Sequence, residues 1–294
     1  MNLFLPIIKQ IAEATNQTFN LTATQTLSGG DINAAYRLQG DHTAYFVKLN
    51  QKQFMSMFAA EFSGLEALAN SQTLQVPKPI IYGQTPEQAF LVLEFIEFGR
   101  ATKISDHLFG QQLAALHRQP QAYFGWWCDN TIGSTPQINT PCGNWLTFWR
   151  EQRLGLQLKL AAQNGYGGKL QAAGERLYSD LDALFNNYQP QPSLLHGDLW
   201  SGNAAVDQYG NPIIFDPACY YGDREADLAM TELFGGFSQD FYAAYQDAWT
   251  LDQGYATRKT LYNLYHILNH LNLFGGAYLR QAETMLVKLL AEIG

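Results

Sequence analysis

The stretch that most constrains this chain covers 194–216. It reads Leu194-Leu195-His196-Gly197-Asp198-Leu199-Trp200-Ser201-Gly202-Asn203-Ala204-Ala205-Val206-Asp207, a turn at Gln208-Tyr209-Gly210-Asn211-Pro212, then Ile213-Ile214-Phe215-Asp216. Two short apolar segments, 204–206 and 213–215, flank the Gly/Asn/Pro turn and predict a hairpin. Such a hairpin brings Asn203 at its entry close to Asp216 at its exit. Asp198, Asn203 and Asp216 in this order suit phosphoryl transfer. Asp198 can accept the proton of an attacking hydroxyl, while Asn203 and Asp216 can hold Mg2+ against nucleotide phosphates. A polar loop beside an ordinary hairpin could contain any one of them. The ordered set favours the chemistry.

The Asp-x-x-x-x-Asn spacing matches the catalytic loop of protein kinases, with Gly197 where that loop carries arginine. The N-terminal third reads accordingly. A helix over 6–15 is followed by strands over 22–27, 35–38 and 44–49, an antiparallel meander. Ser28-Gly29-Gly30-Asp31-Ile32-Asn33 lies between the first two. Glycines there let backbone N–H groups approach a phosphate, although Gly-Gly between strands is also an ordinary turn. Lys48 stands inside the apolar run Phe46-Val47-Lys48-Leu49. It is either a phosphate-positioning lysine or an exposed edge-strand lysine. The helix expected over 53–70 favours the first. Phe58, Phe62, Leu65 and Leu68 form its buried stripe, and Glu61 falls on the same face. A carboxylate on an apolar face needs a partner, and Lys48 is the economical one.

Strands over 80–82 and 90–95 complete a small β-rich unit. Glu94-Phe95-Ile96-Glu97 then leaves the sheet, the natural place for a hinge, with adenine held by main-chain groups at Glu94 and Ile96. Helices are expected over 106–118, 144–163 and 169–187, with two or three more over 226–294 broken near Gly275-Gly276. A long loop, 119–141, carries Phe124-Gly125-Trp126-Trp127. The expected fold is α+β and two-lobed like a protein kinase. An antiparallel β lobe with one main helix over 1–96 binds nucleotide, and a mostly helical catalytic and substrate lobe covers 97–294.

With 47% hydrophobic and 14% aromatic residues, 294 residues suffice for a sizeable core, and 15% charged residues argue against disorder. The net charge of −8, with no basic run, argues against a nucleic-acid binder. Cys128, Cys142 and Cys219 form no C-x-x-C pair, which suggests reduced thiols and a cytoplasmic protein. No signal-peptide pattern and no membrane span are expected. Oligomeric state is not readable.

Taken together, the chain resembles the fructosamine-kinase (ketosamine 3-kinase) family, within the aminoglycoside-phosphotransferase-like kinases. The marks are Leu195-His196-Gly197-Asp198-Leu199-Trp200-Ser201-Gly202-Asn203 and Asp216-Pro217-Ala218-Cys219-Tyr220-Tyr221-Gly222-Asp223-Arg224-Glu225-Ala226-Asp227-Leu228-Ala229. Phe124-Gly125-Trp126 and Asn130-Thr131-Ile132-Gly133 add to them. The resemblance implies ATP-dependent phosphorylation of the 3-hydroxyl of a ketoamine on a small amine or glycated protein, with Mg2+, followed by loss of phosphate and release of the amine. The acceptor that the resemblance implies is ribulosamine or erythrulosamine, ahead of fructosamine. It implies Asp198 as base, Asn203 and Asp216 as metal ligands, and Lys48 with Glu61 as the phosphate pair. Gly29, Gly30 and Asn33 are implied in the nucleotide loop, where Asp31 replaces a cysteine found in some relatives. For the substrate, Asp223 and Glu225 offer an anionic rim, and Trp200 and Trp126 an aromatic wall. Asp227 reads better as a brace of the catalytic loop, and His196 as an orienting histidine. His266 and His270, one turn apart, read as packing or substrate-side groups rather than a metal pair. An aminoglycoside or choline-type kinase is the nearest alternative, and a nucleotide-binding scaffold without turnover a more distant one.

Overall fold

The computed structural model describes residues 3–27 and 32–294. Helix α1 (Leu5–Thr15) precedes β1 (Leu21–Leu27), β2 (Ala34–Gly40) and β3 (Ala44–Gln51). After α2 (Met55–Asn70) come β4 (Pro79–Gln84) and β5 (Gln88–Glu94). The five strands form one antiparallel sheet in the order β1-β2-β3-β5-β4.

Alternation sorts each strand between two helices. Phe90 and Val92 of β5, with Val47 and Leu49 of β3, join Ile7 and Ile11 under α1. Ala89, Leu91 and Leu93 face the other way, toward Phe58, Leu65 and Leu68 of α2. Lys48 has the opposite parity to Val47 and Leu49, so the pleat turns it to the α2 side. It pairs with Ala35 on one flank and Leu91 on the other, which places it in the sheet interior. The edge-strand reading of this lysine is thereby excluded.

Past the hinge, Phe98 bridges to Asp207, and Gly99 packs so closely on the Asp207 carbonyl that a Cβ there would lie 2.4 Å from it. The connector therefore rests on the catalytic hairpin. α3 (Lys103–His117) starts at a capping box in which Thr102 and Ser105 bond reciprocally. Within the long loop lies a hairpin of β6 (Asn130–Ile132) and β7 (Thr135–Gln137), turning at Gly133 with φ +64°. Strands of three residues are too short for a period to show, which hid this hairpin in the sequence.

The helix expected over 144–163 is interrupted. α4 (Trp145–Trp149) runs into a π-helical turn, Arg150–Leu154, and then α5 (Gly155–Gln163). The extra residue in the turn rotates the buried face, so Arg153 and Leu154 are buried where the plain period selects Gln152 and Leu156. α6 (Lys169–Asp180) tightens into a 3-10 turn over Leu181–Phe185. β8 (Ser193–Leu195) pairs with β11 (Tyr220–Gly222), and β9 (Ala204–Val206) with β10 (Pro212–Ile214), the predicted hairpin. α7 (Arg224–Leu233), α8 (Gln239–Ala248), α9 (Tyr255–Phe274) and α10 (Leu279–Ile293) complete the helical lobe. One apolar core runs from α2 through this lobe to α10. No described helix is long and apolar enough to cross a membrane.

Candidate active site

A cleft of about 500 Å³ opens between the sheet lobe and the helical lobe. Lys48 Nζ donates to Glu61 Oε1 at 2.7 Å and also to Asp216 Oδ1. Burial favours a neutral amine, but the charges of Asp216 and Glu61 outweigh it and raise the Lys48 pKa, so the lysine stays cationic. The helix carboxylate and the segment after the hairpin thus meet on one strand lysine.

Asp198 and Asn203 lie on the loop between β8 and β9. Asn203 Nδ2 donates to the Asp198 carbonyl at 2.8 Å and to its Oδ2 at 3.1 Å. With its nitrogen engaged there, Asn203 Oδ1 is left for a cation. Burial first, and then the charge of Asp216, push the Asp198 carboxyl up to about 7, near the range suited to a general base. Asp216 itself has φ +58°, a left-handed position that aspartate tolerates, and its side chain is 44% exposed to the cleft.

Oxygen donors from one amide and one carboxylate, next to a space for phosphates, fit Mg2+, which takes few protein ligands and shares its shell with substrate phosphates. Among the described residues, no group of three or more His, Cys, Asp or Glu could hold a metal ion without such help.

The loop carrying Asp198 is braced from below. Asp227 Oδ2 accepts from the His196 N–H at 2.7 Å and Oδ1 from the Gly197 N–H at 2.8 Å, while His117 Nε2 lies 3.2 Å from Oδ2. The His196 ring spans the site: Nε2 donates to the Phe215 carbonyl at 2.9 Å, and Nδ1 accepts from the Asp198 N–H at 3.3 Å. Burial lowers the His196 pKa, consistent with the neutral ring that this bonding requires. Gly197 has φ +83°, and a Cβ would stand 2.1 Å from the Ala218 carbonyl. An arginine cannot occupy that position here.

Three expected substrate residues do not reach the cleft. Asp223 is buried as the N-cap of α7, accepting from Tyr188 Oη at 2.9 Å and Tyr262 Oη at 2.5 Å. Glu225 is fully buried and bidentate with Arg258 at 2.7 and 3.0 Å. Both carboxylates tie α7 to its neighbours and form no anionic rim. Trp126 is 3% exposed and sits edge-on to Tyr221, with centroids 4.6 Å apart, so it packs in the core. Trp200 does line the cleft, with its ring 6.1 Å from that of Phe234.

Around Trp200 the wall is built by residues that the sequence reading did not select: Phe234, Phe274 and Tyr278. Their signal was scattered over three helical segments. His270 stacks on Phe274 and Tyr278, at 5.4 and 5.1 Å. Asn33 lines the nucleotide side, its Oδ1 accepting from Asn50 Nδ2 at 2.7 Å. Gly29, Gly30 and Asp31 lie outside the described residues. Glu94 accepts from the Lys78 N–H at 3.2 Å, and Ile96 follows it in the connector; neither side chain lines the cleft.

A β lobe, a helical lobe and a braced aspartate facing a lysine across the cleft between them define a kinase of the protein-kinase-like fold. The streptomycin–ATP–APH(2")-IIa ternary complex shares that fold at a TM-score of 0.66, covering 100% of this chain and 99% of the other at 15% identity. A family model described as fructosamine kinase matches residues 4–292. The chain belongs to the fructosamine kinase family, and it is an ATP-using kinase. It is similar to a probable ketoamine kinase of Synechocystis sp., 50% identical over 285 residues that cover 97% of this chain and 96% of the relative. It is also similar to a chloroplastic protein-ribulosamine 3-kinase of Arabidopsis thaliana, 42% identical, covering 90% and 82% respectively. A crystal structure from Haemophilus somnus, provisionally named a fructosamine-3-kinase, aligns at a TM-score of 0.89 and 28% identity, covering 97% of this chain and 96% of that one.

Proposed function

We propose that the protein transfers the γ-phosphoryl group of ATP to the 3-hydroxyl of a ketoamine, with Mg2+, and prefers ribulosamine and erythrulosamine carried on lysine. The single observation behind this reading is the placement of Asp198. It is a carboxylate held near neutral pKa, braced by Asn203, in a cleft whose outer wall is aromatic. The names of the relatives supply the acceptor class. Residues 1–96, including the loop of Gly29, Gly30 and Asn33 and the hinge at Glu94 and Ile96, serve the nucleotide. Residues 97–294 serve catalysis and the acceptor.

In this mechanism Asp198 accepts the proton of the 3-hydroxyl as its oxygen attacks the γ-phosphorus and ADP departs. Lys48, fixed by Glu61, orients the phosphates. Asn203 and Asp216 would hold Mg2+, which neutralises charge on the phosphates when bound. The phosphate at C3 is then expelled as the sugar enolises toward C1, and hydrolysis of the resulting conjugated imine frees the amine. With Asp223 and Glu225 turned inward, the protonated amine meets the rings of Trp200, Phe234, Phe274 and Tyr278.

The same rim suits a quaternary ammonium, so choline is the control that matters. Ribulosyl-, erythrulosyl- and fructosyl-lysine are incubated with enzyme, ATP and Mg2+ beside choline and kanamycin, and products are followed by mass. A phosphorylated ketoamine that decays to free lysine is expected. Faster turnover of choline or kanamycin, with no phosphorylated ketoamine, refutes the reading.

A further inference from the structure

Lys48, Asn203, Asn269 and His266 are the buried polar side chains lining the cleft among the described residues. Three of them hydrogen-bond within the protein. Lys48 bonds Glu61 and Asp216, and Asn203 bonds Asp198. Asn269 Nδ2 donates to the Ile132 carbonyl at 3.2 Å, and its Oδ1 accepts from Gln157 Nε2 at 3.2 Å. His266 differs. It is 6% exposed, and its ring has no hydrogen-bond partner among the described residues, only the edge of Tyr265 at 5.2 Å. Buried polar groups are almost always paired, and one that faces a cavity takes its partner from whatever enters the cavity.

The chemistry of that partner follows from the state of the ring. Burial, then His270, and more weakly Arg153, hold the His266 pKa down to about 3 against the opposing charge of Asp227. A neutral imidazole presents one donor and one acceptor, the same pair that a hydroxyl presents. Position narrows it further. His266 lies one turn deeper along α9 than His270, whereas Phe274 at the end of that helix is 57% exposed. A lysine-borne ketoamine trails its peptide, so its amine stays at the exposed end and its sugar chain points inward.

We propose that His266 is a specificity residue that hydrogen-bonds a hydroxyl of the acceptor's sugar chain, a reading that rests on the ketoamine function above. The test compares wild type with His266→Phe and His266→Asn on ribulosyl-lysine and on its 4-deoxy and 5-deoxy analogues. ADP binding and the melting temperature are measured on each variant. Wild type should lose about tenfold in kcat/KM on one deoxy analogue, the worth of one hydrogen bond. His266→Phe should lose about tenfold on the parent, treat parent and that analogue alike, and keep its KM for ATP. His266→Asn should recover part of the discrimination, and carries the test if the phenylalanine variant does not fold.

Unchanged kcat/KM on the parent overturns the proposal. So does a loss by one common factor on the parent and both analogues, which marks a packing role. If wild type phosphorylates no ketoamine, the functional reading falls and the proposal with it. If wild type is active but the ratios do not move, the proposal alone falls.

Discussion

Replacing Asp227 by asparagine tests how the catalytic loop is held in place. The carboxylate is 1% exposed and accepts two backbone N–H bonds, from His196 and Gly197, besides facing His117. Asparagine keeps the shape but turns one acceptor into an NH2 donor. Whichever way the amide lies, one side opposes an N–H and leaves it unpaired. Hydrogen bonds to a charged group are worth roughly 1.5–3 kcal/mol each, and an orphaned buried donor adds its desolvation cost. The expected loss is about 3–5 kcal/mol, the range for breaking a buried charged network. Because Gly197 directly precedes Asp198, kcat should fall as well.

Urea unfolding with linear extrapolation gives the stability change, and steady-state kinetics the rate. A loss under about 1 kcal/mol with kcat unchanged would show that the brace is not carried by this carboxylate. The pH dependence provides a second reading. Burial pushes the Asp227 pKa up, but the bond and charge of His117 and the Gly197 N–H bring it below the ordinary value. A depressed folded pKa contributes stability that is complete above the unfolded value of about 3.9 and disappears as the pH falls through the folded one. Wild type should therefore lose this component below about pH 4, and the variant should not show it.

Asp198→Asn should keep the fold and nucleotide affinity while kcat falls by roughly 10²–10⁴-fold; near-normal turnover would remove it as the base. Lys48→Met and Glu61→Ala should each lower kcat/KM, with the double variant close to Lys48→Met alone, whereas simply additive losses would separate the two residues. Glu225→Gln should reduce stability by about 3–5 kcal/mol through Arg258, with little change in KM for the acceptor; a selective rise in KM at unchanged stability would return Glu225 to the substrate.

Much of the nucleotide side was legible because each residue there had a local signature. The Asp198–Asn203 spacing, the hairpin leading to Asp216, and Lys48 inside the apolar run Phe46–Leu49 are short-range patterns that the fold preserves. Glu61 was found because a carboxylate on an apolar helix face demands a partner, and Lys48 is that partner at 2.7 Å. The acceptor side had no such signatures. Its wall comes from Trp200, Phe234, Phe274 and Tyr278, which tertiary packing alone assembles. Even the buried face after Trp149 was hidden, since the π turn at Arg150–Leu154 breaks the helical period.

Asp223 and Glu225 show why proximity in sequence misleads in this region. Both follow Asp216 closely, and a carboxylate near a site for an amine invites a direct contact. Yet β11 carries the chain away from the cleft and back beneath the catalytic loop, where α7 begins. The first turn of a helix offers unpaired N–H groups and a positive dipole end, so acidic residues there are stabilised by the helix itself. Asp223 caps that turn, Glu225 anchors it to Arg258, and Asp227 reaches from it to His196 and Gly197. Three acids spaced two apart are thus consumed in fixing the helix and, through Asp227, the loop that holds Asp198. The acceptor's charge is left to aromatic faces, and its hydroxyls to the buried His266 ring, which hydrogen-bonds no described residue.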